Sequence, residues 1–140
     1  MKFLGVILDE NINWKDHINM IENKISKNIG LLYKAKPFLD QSCLKYIYYS
    51  FIHSYLNYAN IAWCSTNKTK IKKLFSKQKH AIRLLSNAHR LSHSRPLFNN
   101  LKILNVYQIN IYHLLIFMYK IKEFRPSRQI KYALVDSFKI

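Results

Sequence analysis

Apolar positions along this chain change their period once, near residue 13. Phe3, Leu4, Val6, Ile7 and Leu8 form a short apolar run, β-branched at Val6 and Ile7, that ends in the turn-forming stretch DENIN. This pattern predicts a β-strand over 3–8. From Trp14 the spacing becomes helical. Trp14, Ile18, Ile21, Ile25 and Leu32 recur at steps of four, three, four and seven, which places them on one helical stripe. Asn13 is the expected N-cap, with Asp16 near the positive helix end, and Pro37 stops the helix because a residue before proline avoids helical backbone. Gly30 inside this helix predicts a close approach by another helix.

The same period returns further along. Asp40 or Ser42 caps a second helix carrying Leu44, Ile47, Tyr48, Phe51, Ile52 and Tyr55, while 59–63 either extends it or crosses the core. Thr66 is the expected cap of a third helix with an apolar stripe of Ile71, Leu74, Phe75, Ala81, Ile82 and Leu85. The stretch AHRLSHSRP is a connector, Pro96 opens a short helix through Leu101, and a last helix covers about 106–123. Residues 125–140 are weakly specified. The expected fold is mainly α: a bundle of four to five helices preceded by one short β-strand. A lone strand leaves its backbone groups unpaired, so this one is expected to be an edge cut from a neighbouring sheet.

Composition sharpens the picture. Two glycines and three prolines in 140 residues disfavour a turn-rich β fold. With 23 Lys and Arg against 7 Asp and Glu, the formal charge is +16, which favours a polyanionic partner. Lysine outnumbers arginine 18 to 5, and Lys, Ile, Asn, Tyr and Phe, all with A/T-rich codons, supply 67 of the 140 residues. Codon bias accounts for part of the basicity; it does not account for the scarcity of acids. Two cysteines, Cys43 and Cys64, make no disulfide framework and fit a reducing compartment. Asp9 and Glu10 interrupt the opening apolar run too early for a signal peptide, and the stretch LKYIYYSFIHSYLNYANIAW is too polar to span a bilayer. The expectation is an intracellular chain, in cytoplasm or nucleus, with no membrane partner.

Candidate chemistry is sparse. In the third helix, Lys68, Lys72, Lys79 and Arg83 fall on one flank of the apolar stripe, and Lys70, Lys73 and Lys77 on the other. These residues are candidates for phosphate contact, against the plainer reading of a solvated lysine-rich face. Tyr46, Tyr48, Tyr49, Tyr55 and Tyr58 could stack on bases, but their helical spacing favours core packing, as for Trp14 and Trp63. His89 and His93 are four apart, yet no acid lies between them to support a zinc motif. Neither cysteine has a spacing that marks a Cys–His nucleophile.

Taken in order, KFLGVILDENINWKDHI, KISKNIGLLYKAKPFL, YYSFIHSYLNYANIAW, KLFSKQKHAIRLL and PLFNNLKILNVYQINIYHLLIFMYK resemble the reverse transcriptases of non-LTR (LINE-type, jockey-like) retrotransposons, in the region after the catalytic palm. The resemblance implies a palm-end strand and turn over 1–12, a thumb-like helical bundle over 13–124 and a tail over 125–140. It implies that Phe3, Leu4 and Gly5 are primer-grip-like and that Lys68, Lys72, Lys73, Lys77, Lys79 and Arg83 contact nucleic acid. The implied partners are an RNA–DNA or DNA primer–template and the palm and fingers of the polymerase. The family's Tyr-x-Asp-Asp box lies upstream of the matching region, and the only adjacent acids here are Asp9 and Glu10. Two-metal phosphoryl transfer needs paired carboxylates, so no catalysis is expected of this chain alone, and Mg²⁺ would belong to the palm. The alternative expectation is a non-catalytic helical remnant or partner-dependent interaction protein; a peripheral membrane binder ranks behind both, because the basic residues spread over several helices.

Overall fold

The computed structural model describes residues 1–11, 13–64 and 68–123. It is mainly helical, as the periodicity predicts. The order is β1 (Lys2–Phe3), β2 (Val6–Ile7), α1 (Lys15–Ala35), α2 (Gln41–Tyr48), a π-helical turn (Tyr49–His53), α3 (Ser54–Asn57), α4 (Asn60–Trp63), α5 (Lys68–Leu85), α6 (Ser94–Leu101) and α7 (Val106–Glu123). The expected helix cap at Thr66 and the tail over 125–140 lie outside the described residues.

The β element folds back on itself. β1 and β2 pair antiparallel, Lys2 with Ile7 and Phe3 with Val6, around a two-residue turn at Leu4 and Gly5. Both turn residues have positive φ, 45° and 81°, the backbone that matches a tight hairpin to the strand twist. The edge expected to join a neighbouring sheet therefore has a partner within its own segment.

α1 buries Ile18, Ile21, Ile25, Ile29 and Leu32, the predicted stripe with Ile29 added. The N-cap of α1 is Trp14, in left-handed backbone and with no side-chain cap hydrogen bond, rather than the expected Asn13; the Asn13 side-chain oxygen, one residue earlier, accepts from the Lys15 N–H at 2.9 Å. Asp40 accepts from Cys43 N–H at 3.2 Å and caps α2. α5 buries Ile71, Leu74, Ala81, Ile82 and Leu85. Burying each such side chain contributes about 1.5–3 kcal/mol.

Gly30 departs from expectation. A Cβ built there meets nothing within 4 Å, because the residue borders a shallow concavity between α1 and α5 and no helix crosses it. The tyrosines depart too. Tyr48 is fully buried, but Tyr46, Tyr49 and Tyr58 are exposed and Tyr55 is half-buried. The cause lies in the π turn. Leu44, Tyr48, Ile52 and Leu56 are all buried, yet in a regular α-helix each step of four advances about 40° past a stripe. The wider turn over Tyr49–His53 takes up that drift, returning Ile52 and Leu56 to the core and leaving Phe51 exposed.

One polar side chain sits at the centre. Gln78 is fully buried; its amide donates to the Tyr48 hydroxyl at 2.8 Å and to the Leu104 carbonyl at 3.0 Å, and its oxygen accepts from Val106 N–H at 2.9 Å. It thereby joins α2, α5 and the start of α7. α2 also closes two helix ends: Gln41 donates to the Leu85 carbonyl at 3.0 Å and the Lys45 ammonium to the Leu101 carbonyl at 2.7 Å. α5 and α6 each end in a left-handed residue, Asn87 and Lys102, with the paired return hydrogen bonds of a Schellman motif.

Candidate nucleic-acid interface

α1 and α5 run parallel. Lys70 near the start of α5 donates to the Asn19 side chain at 3.0 Å, and one helical stretch later Lys77 borders Ser26, Ile29, Gly30 and Tyr33. The core takes the inner faces of both helices. Their outer faces hold Lys27 and Lys34 on α1 and Lys72 and Lys73 on α5, all exposed. The basic surface is thus two helices wide. The α1 lysines lack the clustering that marks α5 in the sequence, so only the packing reveals their part.

The predicted residues on α5 do not share one environment. Lys68, Lys72 and Lys73 are exposed. The Lys79 ammonium lies 4.9 Å over the Phe75 ring, which stacks on Phe98 with centroids 6.1 Å apart. Arg83 spends its Nε–H on the Ser92 carbonyl at 2.9 Å, fastening the connector between α5 and α6. Lys77 is half-buried on the flank facing α1. His80, between the flanks, registers the local field. Burial first, then Arg90, Arg83 and Lys77, hold its imidazole below the usual histidine range.

The primer-grip-like residues lie elsewhere. Leu4 and Gly5 sit at the exposed hairpin turn, with the Leu4 carbonyl accepting from the Tyr58 hydroxyl; of Phe3 the backbone alone is described. Beneath the turn is the α1 flank of Met20 and Lys24, whereas α5 meets the flank of Asn19 and Ser26. The structure therefore does not bring Leu4 and Gly5 together with the α5 lysines; α1 stands between them.

Other candidate chemistry finds no constellation. Asp9 accepts from Asn13 N–H at 2.9 Å while Glu10 is exposed, and among the described residues no three His, Cys, Asp or Glu side chains converge on a point. His89 accepts from Leu91 N–H in an irregular segment, away from the helix-face spacing a zinc pair needs. Burial pushes the Cys64 thiol up to about 11, and the Asp40 carboxylate raises Cys43, so both stay protonated at neutral pH. No single described helix is long and apolar enough to cross a membrane; α6 and α7 pass that test only as a pair joined across a 48° bend. No family model, curated protein or solved structure matches the chain.

Proposed function

We propose that this chain is a nucleic-acid-gripping helical module of the kind that follows the palm in non-LTR retrotransposon reverse transcriptases. It holds the sugar–phosphate backbone of a primer–template on the outer face of α1 and α5 and performs no chemistry of its own. The single observation that carries this reading is the two-helix basic face of exposed Lys27, Lys34, Lys72 and Lys73. Lysines contacting phosphates displace condensed counterions, so the binding is salt-dependent and indifferent to sequence, with a Kd of roughly 10⁻⁴–10⁻⁶ M at physiological salt. Arg83 contributes by holding the α5–α6 connector, and Lys79 by its place over Phe75.

The test is binding to a labelled RNA–DNA duplex across a salt series, with Lys72→Glu/Lys73→Glu as the comparison. Loss of affinity with rising salt, and a shallower slope in the double variant, is the expected outcome. A folded protein that fails to bind at low salt would overturn the proposal.

A second reading, a partner-dependent interaction protein without retained nucleic-acid activity, is favoured by α7. Its Ile111, Leu115, Phe117, Met118 and Ile121 are all more than half exposed, a larger apolar surface than an isolated helical domain ordinarily leaves in water.

A further inference from the structure

α7 carries two stripes, and the body of the protein covers one of them. On that side Val106 and Ile109 are buried and Asn110 and His113 half-buried, with Asn110 donating to the Asn60 carbonyl at 3.4 Å and His113 Nε2 2.7 Å from Asn57 Oδ1. The second stripe, about a third of a turn away, is Ile111, Leu114, Met118 and Ile121. Its steps of three, four and three are the spacing at which one helix packs along another. These four side chains are between 38% and 65% exposed, and none is charged.

The chain itself holds a matching stripe. Residues 124–140, which lie outside the described residues, read FRPSRQIKYALVDSFKI. Pro126 disfavours helical backbone at Arg125, and Ser127 is a residue type that caps a new helix. Ile130, Ala133, Leu134 and Phe138 then recur at steps of three, one and four, which places them on one helical face with Arg128, Asp136 and Lys139 opposite. A stretch of thirteen residues is marginal as an isolated helix, so this stripe specifies one only against an apolar surface.

We propose that residues 128–140 form a helix that turns back on α7 and covers Ile111, Leu114, Met118 and Ile121. The connector 124–127 is four residues long, within the roughly 2–5 that join antiparallel helices. Counted outward from Pro126, Met118 and Leu134 are each eight positions away and Leu114 and Phe138 each twelve, so an antiparallel pair brings these apolar side chains into register. Thirteen helical residues span about 20 Å, against about 15 Å from Ile111 to Ile121. Two properties favour this occupant over a second copy. A second copy brings a further +16 of charge, whereas 128–140 bring three cations and one acid. The tether also holds the segment at an effective concentration of roughly millimolar, so a contact too weak to retain a separate partner suffices. The apolar surface that otherwise calls for an outside protein is then closed by the chain itself. The α1–α5 face takes no part, so the inference stands apart from the nucleic-acid reading.

The experiment follows side-chain contacts in the full chain by NMR, at a concentration where sedimentation gives the mass of one chain. Nuclear Overhauser effects from Met118 to Leu134 and from Leu114 to Phe138 are expected. A sample mixed from two differently labelled preparations is expected to show none between molecules. Leu134→Glu/Phe138→Glu is expected to speed amide exchange over 114–121 by about tenfold or more, with exchange in α1 and α5 unchanged. Should that variant not fold, the wild-type contacts alone decide. Contacts found only between molecules would assign the face to a second copy. No contact from 130–138 to α7, or unchanged exchange in the folded variant, would leave it to an outside partner. Each of these outcomes overturns the proposal.

Discussion

The amide of Gln78 donates to the hydroxyl of Tyr48 at 2.8 Å in a part of the core closed to water. The same glutamine also serves Leu104 and Val106, so one side chain satisfies groups from α2, the α6–α7 loop and α7. Gln78→Leu keeps the volume but strands the Val106 N–H, the Leu104 carbonyl and the Tyr48 hydroxyl. The expected loss is about 2–4 kcal/mol of unfolding free energy in a urea titration. Tyr48→Phe removes one partner only and is expected to cost about 1 kcal/mol, with the double variant less destabilised than the sum.

Two backbone positions are expected to respond in the stabilising direction. Gly30 lies inside α1 with open space where a Cβ would stand, so Gly30→Ala is expected to add about 0.5–1 kcal/mol. Lys102 holds φ 54° at the C-terminal turn of α6, a conformation glycine adopts without strain. Lys102→Gly is expected to add about 0.5–1 kcal/mol, read as a higher urea midpoint. A lower midpoint for either variant would mean that its side-chain environment outweighs the backbone.

Acid should weaken the fold as its buried histidines take up protons. Burial first, then Lys24, lowers the pKa of His17, and burial then His113 lowers that of His53. The unfolded chain thus takes up protons more readily than the folded one. Stability is complete above the unfolded value of 6.5 and falls as pH drops below it towards the folded values. Urea midpoints at pH 7.5 and 5.5 check this; a midpoint independent of pH across that window would contradict it.

His80 gives nucleic-acid binding its own pH signature. Its imidazole is held low by burial and by Arg90, Arg83 and Lys77, and a phosphate bound nearby would offset those cations and raise it. Binding then takes up a proton, and affinity for an RNA–DNA duplex is expected to increase as pH falls from about 7 to 6. His80→Gln should flatten that dependence while leaving affinity at pH 8 little changed, measured by fluorescence anisotropy at constant ionic strength.

The helices were legible where burial follows one period. The α1 stripe, the Asp40 cap and the bounds of α7 all follow from spacing and capping chemistry that act within a few residues. Burial of Gln78 was not legible, because its partners lie 26 to 30 positions away and a glutamine on a helix ordinarily faces water. The π turn was hidden for a related reason: a stripe at steps of four reads as α-helix until packing demands that all four residues stay inside. At the candidate interface, the α5 lysines could be read from their clustering. Joining Lys27 and Lys34 to that surface required knowing that α1 lies alongside α5. The hairpin was hidden as well, because its turn residue Leu4 has a φ that leucine seldom adopts.

The parallel run of α1 and α5 makes the molecule an electrical arrow. Both helices point their amide ends the same way, and each such end carries about half a positive charge. Lys15, Lys68 and Lys70 stand at that end, against the single acid Asp16 in the first turn of α1 and none in the first turn of α5. At this end of the two helices, backbone and side chains contribute charge of the same sign. Reversing Lys72 or Lys73 changes the face but leaves Lys15, Lys68, Lys70 and the helix amide ends in place. A phosphate that reaches this end meets backbone and side-chain charge of one sign at once.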